Sequence, residues 1–157
     1  MNLNRLFELQ EKLDEHIIEY HSIEGESLIS KKMLALQVEL GELANETRCF
    51  KYWSTKSSSR KDIILEKYVG CLHFILTLGL ESKFNDLTLQ PKKSNFDITE
   101  QFLNLYIDIN DFIICSSKDH YVTLFEDFLS LGMELGFSEE DVEKYYMKKN
   151  TMNYEIC

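Results

Sequence analysis

Apolar residues recur at three- and four-residue intervals along most of the chain, and short breaks rich in Gly and Ser interrupt them. This spacing places apolar side chains on one face of a helix. It predicts six helices, over 3–20, 34–53, 61–80, 97–114, 121–135 and 138–149. No segment shows the two-residue alternation of a half-buried strand, so the fold class is predicted to be all-α. The short connections favour an antiparallel helical bundle.

Local signals mark several helix ends. Ser27 or Ser30 is expected to cap the second helix, because a serine hydroxyl can accept a hydrogen bond from a free backbone N–H. Asp97 and Ser138 each begin a capping pattern before a later helix. Gly136 is expected to end the fifth helix.

Three carboxylates share one side of the second predicted helix. At about 100° per residue, Glu39, Glu42 and Glu46 fall within an arc of roughly 60° that apolar positions flank on both sides. Burying an unpartnered charge is costly, so a metal ion, a cationic ligand or a basic side chain is expected to meet them. The alternative is that the helix is only partly buried and the glutamates reach solvent at the edge of its apolar face.

The third predicted helix, 61–80, is the most apolar and carries Lys67 and Gly70 on one surface. A short loop joins it to the second helix, so the two are expected to pack antiparallel. A magnesium site between them would need carboxylates from both helices. Lys67 must instead extend to solvent or find an anion. A helix-interior glycine costs roughly 1 kcal/mol relative to alanine, and is tolerated where packing is close or a side chain has been lost.

Composition narrows the class of protein. The 157 residues are 44% hydrophobic, which favours one folded domain over 1–157 rather than disorder. The net charge of -10 disfavours binding to duplex nucleic acid. The four cysteines lack metal-site spacing, and those within helical patterns are expected to be reduced core residues. With no signal peptide and no apolar run of membrane length, a cytoplasmic protein is predicted.

From spacing alone, several polar and aromatic residues are expected in ordinary structural positions rather than in a functional site. Gln10 and Asp14 lie beside the apolar face of the first helix and are expected at its solvated edge. Asp108 and Asp111 fall on other faces of the fourth helix than its apolar stripe and are expected to be solvated. Trp53, the single tryptophan, is expected in the core or in a lid.

The chain is similar to the dimeric dUTP diphosphatases, the dUTPase/dCTPase branch of the all-α NTP pyrophosphohydrolases. The resemblance rests on four runs that occur in the family's order: LFELQEKLDEHI, ALQVELGELANETRCFKYWS, ILEKYVGCLHFILTLGLE and LFEDFLSLGMELGFSEEDVEKYYMKKNTMN. It implies a mainly helical homodimer. The net charge excludes a duplex nucleic acid partner, and the lack of a long apolar run excludes a membrane partner, as argued above. The resemblance also implies a Mg²⁺-dependent enzyme that converts dUTP to dUMP and pyrophosphate.

The resemblance implies a role for the acidic residues and identifies two positions at which this chain differs from the family. Glu39 and Glu42 match the family's first metal-binding pair, which also serves catalysis. On the next helix the family has a Glu-x-x-Asp pair, whereas this chain has Lys67 and Gly70. The first replacement adds two units of charge and the second adds one. We therefore expect the Lys67 ammonium to stand in for the metal, and Mg²⁺ binding and hydrolysis to be lost or strongly reduced.

The resemblance also implies nucleotide-binding residues. Gln10 matches the first-helix glutamine that the family associates with base recognition. Lys51 and Trp53 lie in the FKYW run near the nucleotide. The family's terminal KNxxN motif is matched by Lys149, Asn150 and Asn153.

Three functions remain open at this point. The first is a regulator that has lost hydrolysis and binds a deoxyuridine nucleotide or a protein partner. The second is an active dUTP or dUDP nucleotidohydrolase with an atypical site. The third is a helical bundle with no retained ligand. Loss of half the metal ligands favours the first, and the extent of the resemblance favours the second.

Overall fold

A computed structural model describes residues 1–23, 25 and 27–156, without the side chain of residue 156. Six helices follow one another along the chain: α1 (Leu3–Tyr20), α2 (Ile29–Thr47), α3 (Lys61–Glu81), α4 (Ile98–Ile114), α5 (Lys118–Glu134) and α6 (Glu139–Ile156). Within the described ranges no residue lies in a strand. The predicted all-α helical bundle is confirmed.

α3 lies at the centre of the bundle and contacts α1, α2, α5 and α6, while α4 covers α2 and α5 from outside. Two buried tyrosines stabilise this core through hydrogen bonds. The Tyr68 hydroxyl donates to the Phe128 carbonyl at 3.0 Å and its ring stacks on the Phe128 ring at 4.2 Å. The Tyr121 hydroxyl donates to the Ile75 carbonyl at 2.7 Å. Both buried hydroxyls therefore have the partner that burial requires.

The central position of α3 explains its apolar sequence. Contact with four helices leaves little of its surface for polar residues. By length and composition α3 could cross a membrane, so the expectation that no apolar run is long enough is wrong. However, 56% of its most apolar window is buried inside the fold, as in the core helix of a soluble protein. Cytoplasmic localisation stays a prediction.

α2 begins and ends earlier than predicted. It ends at Thr47 rather than near Trp53, because Arg48 adopts a left-handed conformation with a φ of 57° and its N–H caps the last turn. The apolar spacing that continues beyond Thr47 therefore belongs to a turn. At the other end, Leu28 occupies the N-cap without a side-chain hydrogen bond, so the predicted serine cap is wrong.

Other predicted helix ends are confirmed. Asp97 accepts a hydrogen bond from the backbone N–H of Glu100 at 2.8 Å. Ser138 accepts one from the backbone N–H of Asp141 at 3.0 Å. Gly136 follows the last turn of α5 with a φ of 85°, a conformation in which glycine has no steric penalty.

The last two helices are longer than predicted. α5 begins at Lys118 within an expected break, because Ser117 caps it by accepting from the backbone N–H of His120. α6 continues to Ile156, whereas the sequence favoured an end near Lys149 and a short polar tail. The whole KNxxN motif consequently lies on one helix.

The cysteines differ from one another in burial. Cys71 is buried in α3, as expected of a core residue. Cys49 is half-buried and Cys115 is exposed, so the core expectation is wrong for both, although all three are free thiols. Cys157 lies outside the described residues.

Asp108 is buried, contrary to the prediction from spacing. It is only 7% exposed and lies beside Asp127, between α4 and α5. Its Oδ2 has no hydrogen-bond partner among the described residues. Burial, followed by the contact with Asp127, raises the pKa of Asp108 to about 8. Asp111 is exposed, as predicted.

Candidate functional site

α2 and α3 form the most extensive helix pair of the fold. Three contacts show its direction, because residue numbers rise along α2 while they fall along α3: Lys32 with Glu81, Glu39 with Gly70, and Glu42 with Lys67. The predicted antiparallel packing is confirmed. Its middle brings Glu39 and Glu42 opposite Gly70 and Lys67.

The acidic residues of α2 lie at the edge of its buried face. Glu42 is exposed, and Glu39 and Glu46 are half-buried. Val38 on one flank is 53% exposed, so the expectation that apolar residues enclose the three carboxylates from both sides is wrong. Glu46 is separate from the other two because it accepts a hydrogen bond from the Ser59 hydroxyl. The candidate pair is therefore Glu39 and Glu42.

A basic side chain meets one member of this pair. The Lys67 Nζ donates to Oε2 of Glu42 at 3.1 Å. This hydrogen bond raises the pKa of Lys67 more than desolvation lowers it, so the ammonium stays charged at neutral pH. Both side chains are partly exposed, which limits the contribution of the ion pair to stability to about 0–1 kcal/mol.

The other carboxylate occupies space beside Gly70. A Cβ atom added at Gly70 would lie 2.7 Å from Oε2 of Glu39. The missing side chain thus leaves the room in which the Glu39 carboxylate sits. Burial raises the pKa of Glu39, as does Glu42, while Lys67 opposes them.

α6 closes the other side of the site. Lys149 lies 3.5 Å from Oε1 of Glu66 on α3, forming a second ion pair. Beside the two pairs is an open cavity of about 290 Å³, with polar residues on its wall that include Glu39, Glu66, Lys67, His73, Lys149 and Asn153. Two residues of the predicted KNxxN motif therefore share a cavity with one residue of the predicted acidic pair.

His73 is a cavity residue to which the sequence assigned no role. Its Nδ1 is buried without a hydrogen-bond partner among the described residues. Burial, with smaller contributions from Lys32 and Lys149, lowers the pKa of His73 to about 4, so the ring is neutral at physiological pH. The sequence did contain one signal for His73, an imidazole on the most apolar helix. Apolar spacing, however, does not show whether such a residue lines a cavity or lies in the core.

A comparison with known protein families identifies the family of this chain. A family model described as dUTPase matches residues 2–155, nearly the whole chain. The chain belongs to the dUTPase family. No curated protein matches it at a significant level. The six-helix bundle agrees with this dimeric, all-α family.

Two predicted dUTPase residues lie in the interior rather than on the cavity wall. Gln10 is fully buried, its Oε1 accepting from the Tyr146 hydroxyl at 2.7 Å and its Nε2 donating to Asp14 at 2.8 Å. Asp14 also accepts from the Thr77 hydroxyl at 2.6 Å, so a solvated edge is wrong for Gln10 and Asp14. Asn150 is 6% exposed and donates to an α1 carbonyl at 3.4 Å. Their contact with a nucleotide stays a prediction.

The FKYW segment of this dUTPase family member lies in the connection after α2. Trp53 is 64% exposed and packs edge-on against Tyr52, so its assignment to the core is wrong. The Lys51 ammonium lies 5.9 Å from the centroid of the Phe50 ring. Neither Lys51 nor Trp53 lines the cavity. A lid or nucleotide-binding role for them stays a prediction.

The site offers few protein ligands to the Mg²⁺ that the resemblance implies. In the described part of the chain, no three side chains of His, Cys, Asp or Glu are grouped so that they could hold a metal ion. Of the four positions that the resemblance assigns to metal binding, only Glu39 and Glu42 carry carboxylates, and the Lys67 ammonium binds Glu42. Mg²⁺ needs octahedral oxygen ligation, which two carboxylates on one helix supply only in part.

Proposed function

We propose that this member of the dUTPase family has lost, or strongly reduced, the hydrolysis of dUTP to dUMP and pyrophosphate. It acts instead as a regulator that binds a deoxyuridine nucleotide or a protein partner. The observation that carries this proposal is the hydrogen bond from Lys67 to Glu42. It puts a fixed positive charge beside the acidic pair, where the family's chemistry needs divalent metal.

The argument depends on ligand number more than on the strength of this ion pair. A partly exposed ion pair contributes about 0–1 kcal/mol, which metal binding could easily overcome. The two missing carboxylates cannot be replaced by such a rearrangement. Glu66, the nearest acidic alternative on α3, is engaged by Lys149 at 3.5 Å. The site is thus short of oxygen ligands as well as occupied by an ammonium.

Phosphate release from dUTP, coupled to a pyrophosphatase in the presence of Mg²⁺, tests the loss of hydrolysis. We expect release at the level of a no-protein control. Any residual release is checked with Glu39→Gln, which removes a charge from the acidic pair without changing its shape. Robust turnover that Glu39→Gln abolishes would refute the proposal.

A second candidate is an active Mg²⁺-dependent dUTP or dUDP nucleotidohydrolase with an atypical site. The family match over residues 2–155 and the retention of Glu39 and Glu42 favour it. It requires the metal to be held by fewer protein ligands and more water and substrate oxygens. The same assay decides between the candidates, since only this one predicts turnover.

A homodimer forms part of the proposal. α2 and α4 contact each other, and both expose large apolar side chains: Leu34, Val38, Leu103, Ile107 and Ile114. Apolar residues exposed on adjacent helices mark a surface for association, and the family is dimeric. Light scattering should give the mass of a dimer, and Ile107→Asp should give that of a folded monomer. A monomeric parent chain at high concentration would refute this part.

A further inference from the structure

The cavity beside Gly70 has ion-paired cations on its wall. Lys67 binds Glu42 at 3.1 Å, and Lys149 lies 3.5 Å from Glu66. Glu39 adds a third carboxylate. These five side chains carry two positive and three negative formal charges, so their sum is negative by one unit. No other lysine or arginine of the described residues lines the cavity.

This charge balance separates possible ligands. A triphosphate without metal brings several negative charges to a wall on which each ammonium already has a carboxylate partner. Like charges brought together in a partly desolvated site repel strongly. An uncharged ligand avoids this repulsion. The volume of about 290 Å³ lies at the small end of ligand sites, which span roughly 300–1,000 Å³, and suits one base with its sugar.

The remaining wall offers both apolar and hydrogen-bonding groups. Ile17 and Phe74 line the cavity together with the Asn153 amide. His73 adds the face of its imidazole ring to the wall, although its Nδ1 is buried. The Asn153 amide can both donate and accept a hydrogen bond. A pyrimidine base has flat apolar faces and an edge that both donates and accepts hydrogen bonds. Its chemistry complements this wall.

We infer that the cavity binds an uncharged pyrimidine deoxynucleoside without a metal ion and discriminates against the corresponding triphosphate. The inference rests on the proposed function for the nucleoside class, deoxyuridine, and adds the reversal of preference. The two lysines, their carboxylate partners and Glu39 leave the site negative by one unit, which a nucleoside tolerates and which repels a phosphate chain.

Calorimetric titration of the full chain with deoxyuridine, dUMP and dUTP, each in EDTA and in excess Mg²⁺, tests the inference. We expect deoxyuridine to bind equally in both buffers, and dUTP to bind at least about tenfold more weakly in both. Three results would overturn the inference: dUTP binding more tightly than deoxyuridine, dUTP binding restored by Mg²⁺, or no saturable binding of deoxyuridine.

A charge variant tests the role of the ion pairs directly. Glu66→Gln releases Lys149 from its partner and should raise the ratio of dUTP affinity to deoxyuridine affinity several-fold. Glu140→Gln, at an exposed position near the start of α6, makes the same chemical change away from the cavity and should leave the ratio unchanged. An unchanged ratio in Glu66→Gln contradicts the inference.

The two proposals fail separately. Turnover of dUTP with Mg²⁺ contradicts the loss of hydrolysis, whatever the order of ligand affinities. Absence of turnover, with dUTP as the tightest ligand, contradicts only the inferred nucleoside preference.

Discussion

The Glu39 carboxylate lies 2.7 Å from the point at which a side chain at Gly70 would begin. Glu39 is thus placed by the absence of a neighbour on α3 as much as by its own helix. An aspartate at position 70 would require this carboxylate to turn away, so the two positions are coupled.

Two glycines of α3 should respond oppositely to alanine. Gly70→Ala meets only the flexible end of Glu39, so a helix propensity gain of up to about 1 kcal/mol should leave the protein unchanged or stabilised. Gly79→Ala meets the buried ring and hydroxyl of Tyr121, which cannot yield, and overpacking typically costs about 1–3 kcal/mol. Urea unfolding measures both. Equal destabilisation by the two changes would contradict this interpretation of Gly70.

Restoring the family ligands should restore metal binding. Lys67→Glu with Gly70→Asp supplies two carboxylates opposite Glu39 and Glu42, and we expect saturable Mg²⁺ binding by calorimetry where the parent chain shows none. Lys67→Met is the control, because it removes the ammonium without adding a ligand. If Lys67→Met alone binds Mg²⁺, occupation by the ammonium rather than ligand number excludes the metal. If the double variant ignores Mg²⁺, other parts of the site are also altered.

Asp108 should make stability fall as pH rises. Its folded pKa, about 8, lies above its ordinary value of 3.8, so its favourable contribution is complete below about pH 4 and is lost toward pH 8. Asp108→Asn should therefore become increasingly stabilising relative to the parent chain, by at most about 1.4 kcal/mol per pH unit. Unfolding free energies at pH 5, 6, 7 and 8 give the difference. Asp86→Asn, at an exposed position in the connection between α3 and α4, should show no such trend, and a flat difference for Asp108→Asn would refute this.

The buried network between α1 and α6 should depend on the Tyr146 hydroxyl. Tyr146→Phe removes the donor to Gln10 and leaves a buried amide oxygen unsatisfied, which costs about 1–3 kcal/mol. Tyr52→Phe makes the same change at a site that is 94% exposed and should be neutral. Thermal and urea unfolding compare the variants. Similar stabilities for the two would show that water, or a rotated Gln10, replaces the bond.

The fold was largely predictable because helical spacing reflects burial on one side of each helix. The prediction of burial from spacing was wrong where helices from other parts of the chain enclose a residue. Spacing places Gln10 beside the apolar face of its helix and Asp108 on another face of its own, but neighbouring helices cover both. The predicted end of α2 is wrong because apolar residues that continue the helical spacing follow the turn at Arg48.

The candidate site was predictable in part. The contact between Lys67 and Glu42 followed from the charge of two opposing positions and from antiparallel packing. The pairing of Glu66 with Lys149 did not, because it depends on where α6 lies across α3. His73 could not be assigned to a cavity from spacing, since cavity and core residues share the same face.

Diffraction from crystals grown with dUTP and Mn²⁺, an anomalous scatterer that takes the ligands of Mg²⁺, tests the replacement of the metal most directly. We predict no anomalous peak near Glu39 and Glu42, with the Lys67 ammonium remaining against Glu42. A strong peak between the two glutamates, with Lys67 turned out to solvent, would contradict the proposal that the lysine has taken the place of the metal.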